Sequence, residues 1–276
     1  MASLLAHSKL FNRKLLIGMV HVHALPGTPA NREDLSEIIK IAVEEAKLLE
    51  ASGFDMVAIE NMHDTPYLKR TVGPEIVASM TAVCVAVRQA IKIPFGLQIL
   101  AGANKEAISV ALASGACFVR CEGFVFSTVA DEGIMDSDAG ELLRYRHMIG
   151  ADHITIFADI KKKHSSHSLT SDLNIVDIAH AAHFYRCDGV IVTGNSTGLP
   201  ASPEETKAVK DALKNTDVKV LIGSGITPSN LHEYWDSADA FIVGSYFKKG
   251  GFWENPIDPE RAAELVKAAN ALREKE

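Results

Sequence analysis

The stretch Asp-Ile-Lys-Lys-Lys-His at residues 159–164 sets a carboxylate two positions before one lysine and follows it with two more lysines and a histidine. Residues two apart on a strand face the same way, so Asp159 and Lys161 share a side, and a carboxylate beside a lysine keeps it charged as a proton donor. A lysine can also attack a carbonyl group when its pKa falls, and adjacent lysines repel one another in that direction. Lys163 and His164 complete this cluster. Arg120 and Glu122, in Val-Arg-Cys-Glu (119–122), repeat the two-residue spacing, with a salt bridge between them as the plain alternative. His-Val-His at 21–23 has the spacing of a metal-binding pair on one strand face. Barrel hydrolases built on such a pair need further histidines and an aspartate at strand ends where this chain carries Asp159, Thr193 and Ser245, while His63 and Asp64 in a following loop are further ligand types.

A second chemistry lies in the glycines. Val-Leu-Ile-Gly-Ser-Gly-Ile-Thr-Pro-Ser-Asn (220–230) stops an apolar run at two glycines around a serine. Glycine lets backbone N–H groups approach a bound group, and a Ser or Asn cap opens a helix whose N-terminus favours anions. Val-Gly-Ser-Tyr-Phe-Lys-Lys-Gly-Gly (243–251) repeats the device. Gly223, Ser224, Gly225, Gly244 and Ser245 read together as a phosphate cup, with Lys248 or Lys249 adding positive charge and Gly194, in Thr-Gly-Asn-Ser-Thr-Gly (193–198), as a third wall.

Strand-like runs must position these groups. They fall at 15–21, 55–61, 94–100, 116–122, 154–160, 189–194, 219–225 and 240–246, separated by runs with apolar residues at helical spacing. Eight alternating strand–helix units predict a closed (β/α)8 barrel, a TIM barrel, in one domain over residues 1–276, with residues 1–14 as an N-terminal arm. Helix-to-strand links are short and strand-to-helix links are long, so the face at the strand C-termini carries the elaboration. The strand ends on that face are His21, Glu60, Gln98, Arg120 with Glu122, Asp159, Thr193, Ser224 and Ser245. The long segment after strand four, Phe-Val-Phe-Ser-Thr-Val-Ala-Asp-Glu-Gly-Ile-Met-Asp-Ser-Asp-Ala-Gly (124–140), has the composition of a lid, with Asp131 reaching inward and Asp138 capping the next helix.

Composition limits the function classes. With 276 residues, 47% of them hydrophobic, the chain can bury a full core, and a formal charge of −7 speaks against nucleic-acid binding and a polybasic membrane surface. Cys84, Cys117, Cys121 and Cys187 form no Cys-x-x-Cys pair and read as buried thiols of a reducing compartment. The start, Met-Ala-Ser-Leu-Leu-Ala-His-Ser-Lys-Leu-Phe-Asn-Arg, lacks acidic residues and carries a few basic ones, as a weak organelle-targeting segment does, but its apolar run is too short for a secretory or membrane signal, and the cytoplasm is the expected location. Apolar residues in Glu-Tyr-Trp (233–235) and Phe-Trp (252–253) suggest exposed patches and a homo-oligomer.

The ordered motifs Gly-Met-Val-His-Val-His-Ala-Leu-Pro-Gly (18–27), Pro-Phe-Gly-Leu-Gln-Ile-Leu (94–100), Phe-Ala-Asp-Ile-Lys-Lys-Lys-His (157–164), Val-Ile-Val-Thr-Gly-Asn-Ser-Thr-Gly (190–198) and Ile-Val-Gly-Ser-Tyr-Phe-Lys-Lys-Gly-Gly (242–251) resemble the BtpA/SgcQ family over nearly the whole chain. The resemblance implies a barrel of the phosphate-binding type. It also implies a link to photosystem I biogenesis in photosynthetic members and to sugar-metabolism operons in others. The residues themselves point to an enzyme that binds a phosphorylated sugar or nucleotide-like metabolite and acts by proton transfer or carbon–carbon bond chemistry. His21, Glu60, Arg120, Glu122, Asp159, Lys163 and His164 are its candidate catalytic groups. No organic cofactor is called for, and a divalent metal is left open. A non-catalytic biogenesis factor and a metal-dependent hydrolase are the two alternatives.

Overall fold

The computed structural model describes residues 11–194 and 196–276. Eight parallel strands close into a barrel: β1 (Leu15–His21), β2 (Met56–Glu60), β3 (Phe95–Gln98), β4 (Phe118–Cys121), β5 (Thr155–Ile160), β6 (Gly189–Val192), β7 (Lys219–Ile222) and β8 (Ala240–Val243). Around them lie α1 (Leu35–Ser52), α2 (Pro74–Ala90), α3 (Asn104–Ser114), α4 (Ala139–Met148), α5 (Ile175–Phe184), α6 (Pro203–Leu213), α7 (Leu231–Tyr234) and α8 (Pro259–Arg273). The (β/α)8 TIM barrel expected from the alternation is the observed fold.

Local chemistry explains the elements. In α1, Ile38, Ala42, Ala46 and Leu49 repeat at helical spacing and are buried, and Gly53 ends the helix in the left-handed region at φ 96°. Asp258 caps α8 by accepting from the amides of Glu260 and Arg261, with Pro259 opening the helix. At the strand N-termini, aspartates tie adjacent strands together. Asp55, Asp188 and Asp239 accept from the amides of Leu16, Ile156 and Val220 at 2.7, 2.7 and 2.8 Å. That face is built for stability, as barrels of this kind require.

Side-chain alternation positions the opposite face. Leu15, Ile17 and Met19 on β1, Met56 and Ala58 on β2, Phe118 on β4 and Phe157 on β5 fill the barrel interior. The intervening residues, among them Leu16, Val20, Val57, Val119 and Ile156, pack outward in the layer between strands and helices. Continuing the inward parity by two residues brings His21, Glu60, Arg120 and Asp159 onto the same central axis, above the apolar plug. All four are buried.

Several expectations change in the structure. Tyr234 and Trp235 are buried, the latter stacked on Phe241 at 5.5 Å, so Glu-Tyr-Trp is no exposed patch; Phe252 is exposed. The helix after the glycine loop, α7, is four residues long, and Asn230 does not cap it with its side chain. Asn230 instead accepts from the Thr227 amide at 2.8 Å and donates to the Gly225 carbonyl at 2.9 Å, shaping the loop itself. The expected lid is a β-hairpin of Thr128–Ala130 and Gly133–Met135, whose first strand also pairs with Ser165–Ser166 after β5. Of the expected arm, residues 1–10 lie outside the described residues, as does Asn195.

Candidate functional site

The strand C-termini enclose a cavity of two joined lobes. The first, of about 230 Å³, is walled by Gly223, Ser224, Gly225, Gly244, Ser245 and Arg261 and floored by His21 and Met19. The second, of about 250 Å³, lies over β2, β4 and β5 and is walled by Glu122, Lys162, His164, Tyr67, Trp253 and the hairpin acids Asp131 and Glu132. Glu60, Met62, Arg120, Lys163 and Thr197 line both.

At the junction the charges are paired across strands. Arg120 donates from Nε and Nη2 to the two carboxylate oxygens of Asp159 at 2.9 and 3.0 Å, a two-point contact between β4 and β5. Burial opposes the guanidinium charge, and Asp159, Glu60 and Glu122 outweigh it, keeping Arg120 charged. Glu122 pairs with Lys162 at 3.0 Å. Burial works against its ionisation, but Lys162, Arg120 and Lys163 hold its pKa below the usual carboxylate range. The two-residue pairs expected from spacing, Arg120 with Glu122 and Asp159 with Lys161, do not form. The guanidinium reaches sideways to the neighbouring strand, and Lys161 has a left-handed backbone at φ 46° that ends strand alternation.

Glu60 and His21 sit opposite each other on β2 and β1, with His21 Nε2 3.9 Å from a Glu60 oxygen. His21 Nδ1 lies 3.0 Å from the Trp253 carbonyl. That carbonyl accepts only, so Nδ1 carries the proton and Nε2 keeps its lone pair. Burial, reinforced by Lys248, His63 and Lys163, pushes the His21 pKa down to about 3, so the imidazole is neutral. Burial raises the Glu60 pKa against the pull of Arg120 and Lys163. The pair therefore sets a carboxyl of raised pKa beside a neutral imidazole. Gly244 makes room for it, since a Cβ there would lie 3.1 Å from His21 Nε2.

Lys163 reaches both lobes, its backbone anchored by an amide donation to Thr193 Oγ1 at 3.1 Å. Burial and the nearby Arg120 lower its pKa against Glu60, Asp159 and Glu122. His164 is a wall residue of the second lobe. Its Nε2 accepts from the Thr197 amide at 3.2 Å, tying the loop after β6 to the loop after β5.

In the first lobe, Gly223, Gly225, Gly244 and Ser245 line the cavity as expected, and no described residue accepts the amide N–H of Ser224, Gly225 or Ser245. Ser224 Oγ, by contrast, donates to the Leu199 carbonyl at 2.8 Å and accepts the Gly194 amide at 2.7 Å. The Ser224 hydroxyl and the Gly194 amide are thus spent joining two loops, while the Ser224 amide is not. Lys248 is also withdrawn: it is 1% exposed and binds both carboxylate oxygens of Glu45 on α1 at 2.6 and 2.8 Å. Lys249 lines neither lobe. The cation that lines the first lobe and not the second is Arg261, held by a 2.6 Å donation to the Tyr246 carbonyl and lying 4.5 Å over the Tyr246 ring. Its only sequence signal is its place in the first turn of the last helix, and Trp253 is equally remote from any strand end.

The remaining candidates take structural posts. His23 binds Glu33 at 2.7 Å and shares a separate bay with His63, so it lines a different cavity from His21. Asp64 accepts from the Leu25 amide and from Asn61, both at 2.8 Å. Among the described residues no group of three or more His, Cys, Asp or Glu is arranged to hold a metal ion. Asp138 stands at the N-cap position of α4 without capping it, because Arg70 and Asn104 each donate to its carboxylate at 2.9 Å.

The BtpA family profile matches residues 12–271. The chain belongs to the BtpA family. A Caenorhabditis elegans protein whose name carries the label mitochondrial is 49% identical, over 96% of this chain and 97% of its own length. The photosystem I biogenesis protein BtpA of Synechocystis is 31% identical over 94% of this chain and 90% of its own. Among solved structures, a thiamine phosphate pyrophosphorylase from Pyrococcus furiosus superposes with a TM-score of 0.58 at 15% identity, covering 97% of this chain and 98% of that one. Orotidine 5'-phosphate decarboxylase from Pyrococcus horikoshii gives 0.56 at 13% identity, covering 92% and 99%. At such identities the likeness shows the fold alone. No helix among the described residues is long and apolar enough to cross a membrane.

Proposed function

We propose that this BtpA-family barrel is an enzyme that holds a phosphorylated small molecule across both lobes. The amides of Ser224, Gly225 and Ser245, with the Arg261 guanidinium, take the phosphate, as charge-assisted donors do. The reacting carbon then lies among Glu60, His21, Arg120 and Lys163. The observation that carries this reading is that one continuous set of residues lines both lobes, so a molecule anchored by its phosphate extends directly over the buried charges. The solved neighbours bearing phosphate in their names agree with it.

The chemistry best suited to these groups is proton transfer beside a carbonyl. Glu60, made more basic by burial, accepts the proton and returns it beside the neutral His21, and Arg120, with no described partner on Nη1, stabilises the developing oxyanion. Calorimetric titration with inorganic phosphate tests the anchor: the wild-type chain binds, and Arg261→Ala binds at least roughly tenfold more weakly. A wild-type chain that binds no phosphate contradicts it.

The name of the Synechocystis relative supports a second reading, a barrel that serves as a biogenesis factor without catalysis. In that case biological activity survives Glu60→Gln and Lys163→Met. A homo-oligomer is also proposed, with exposed Phe252 as the remaining support from the two patches, and light scattering tests it. Cytoplasmic location is kept as a proposal against the mitochondrial label of the worm relative, and cell fractionation decides between them.

A further inference from the structure

Of the three lysines that follow β5, only Lys163 combines an unpaired ammonium with a place in the cavity. Lys162 gives its ammonium to Glu122 at 3.0 Å. Lys161 lines neither lobe. Lys163 lines both, and its ammonium makes no ion pair or hydrogen bond with any described residue. Its root is held through Thr193, which is buried just beyond the end of β6. The amine is thus fixed at its base, unpartnered at its tip and set where the two lobes meet. Glu60 and Arg120 line the same junction.

We infer that Lys163 is a nucleophile that forms a Schiff base with an aldehyde or ketone carbon of the phosphorylated substrate. The inference rests on the phosphate-binding reading and adds to it a substrate class, a phosphorylated carbonyl compound, and a covalent residue. The lowered pKa of Lys163 supports it by increasing the share of amine that carries a free electron pair.

The step balances within the site. The Nζ electron pair forms a C–N bond to the carbonyl carbon, and the displaced π pair passes to oxygen, which takes the proton of the Glu60 carboxyl. Arg120 stabilises that oxygen while its charge develops. The nitrogen then returns a proton to the Glu60 carboxylate. Glu60 next protonates the hydroxyl, water leaves, and the nitrogen pair closes a C=N bond. One neutral amine, one carbonyl and one carboxyl proton have become one iminium, one carboxylate and one water. The raised pKa of Glu60 increases the share of carboxyl that carries that first proton.

Reductive trapping tests the inference on the intact chain. The protein is incubated with dihydroxyacetone phosphate or ribose 5-phosphate and reduced with sodium borohydride, whose hydride adds to the C=N carbon and fixes a secondary amine. Peptide mapping is expected to show Lys163 carrying the mass of the probe less one oxygen atom. Excess inorganic phosphate is expected to suppress that label at least tenfold. If inorganic phosphate binds by calorimetry while neither probe labels Lys163, the Schiff base is overturned and the phosphate reading stands. Labelling of exposed lysines such as Lys207 to the same extent as Lys163 overturns it equally. If phosphate does not bind either, the reading beneath the inference falls, and the inference with it.

Discussion

The two lobes are made of different material. The first is walled chiefly by loop backbone, from Gly223 to Gly225 and from Gly244 to Ser245, and each loop is fixed by what packs behind it. A Cβ on Gly225 would come within 2.2 Å of the Pro200 backbone, and its φ of 70° disfavours any side chain. The second lobe is walled by ionisable side chains held by partners on adjacent strands. Substitutions in the first lobe therefore report on loop packing as much as on binding. Those in the second change charge while leaving the backbone alone. On the proposed reading, a ligand that spans both meets an anion seat of fixed backbone at one end and a set of ionisable side chains at the other.

The two largest expected effects are of equal size, one in each lobe. Gly225→Val combines left-handed strain with overpacking against Pro200 and is expected to cost about 3–5 kcal/mol of stability, read from the denaturant midpoint. This reverses the simple view of that glycine as a gap kept open only for phosphate. A Gly225→Val chain that unfolds at the wild-type midpoint and loses only ligand affinity would restore that view.

In the second lobe, Arg120→Met leaves the buried Asp159 without its partner and is expected to cost about 3–5 kcal/mol, the range for breaking a buried pair. Adding Asp159→Leu is expected to recover much of the loss. Failure of the double variant to recover would mean that the contact between β4 and β5 depends on more than charge. Arg261→Ala sharpens the contrast from the other side. It is expected to weaken phosphate binding by roughly ten- to a hundredfold, equivalent to about 1.5–3 kcal/mol, with a smaller change in melting temperature. Equal losses in both readouts would make Arg261 a packing residue.

The smallest effect is in pH dependence. His21, held near 3 when folded against an ordinary 6.5, takes up its proton first in the unfolded chain. Stability is therefore lost as pH falls below 6.5 toward 3, and His63, pushed by burial down to about 4, adds to the loss. Asp138 works the other way. Burial lifts it to about 6, so its contribution is present below 3.8 and is lost as pH rises through 6. Melts of His21→Asn between pH 6.5 and 5 are expected to fall less steeply than wild type, by about 1–2 kcal/mol across the window. Parallel curves would show that His21 is not neutral in the folded chain.

The fold and the central layer were legible because both rest on alternation. Once Leu15, Met56, Phe118 and Phe157 face inward, His21, Glu60, Arg120 and Asp159 must do so as well. Pairing was not legible, since the Arg120 contact runs between strands whose register places Asp159 two residues beyond the Phe157 that faces Arg120. Parity also fails beyond Ile160, where the left-handed Lys161 turns Lys162 and Lys163 to the cavity. Lys248 looked like a loop cation, but the chain doubles back there, with Lys248 bridging Ile257, and carries its ammonium to Glu45 behind the barrel. Arg261 and Trp253 lie beyond the last strand, where no periodicity points inward.

The most direct measurement is a crystal structure of the protein grown with saturating ribose 5-phosphate. The predicted result is phosphate density in the first lobe, within hydrogen-bond distance of the Ser224, Gly225 and Ser245 amides and of Arg261, with the sugar extending toward Glu60 and Lys163. Phosphate bound elsewhere on the molecule, or a first lobe without it at saturation, would contradict a site that spans both lobes.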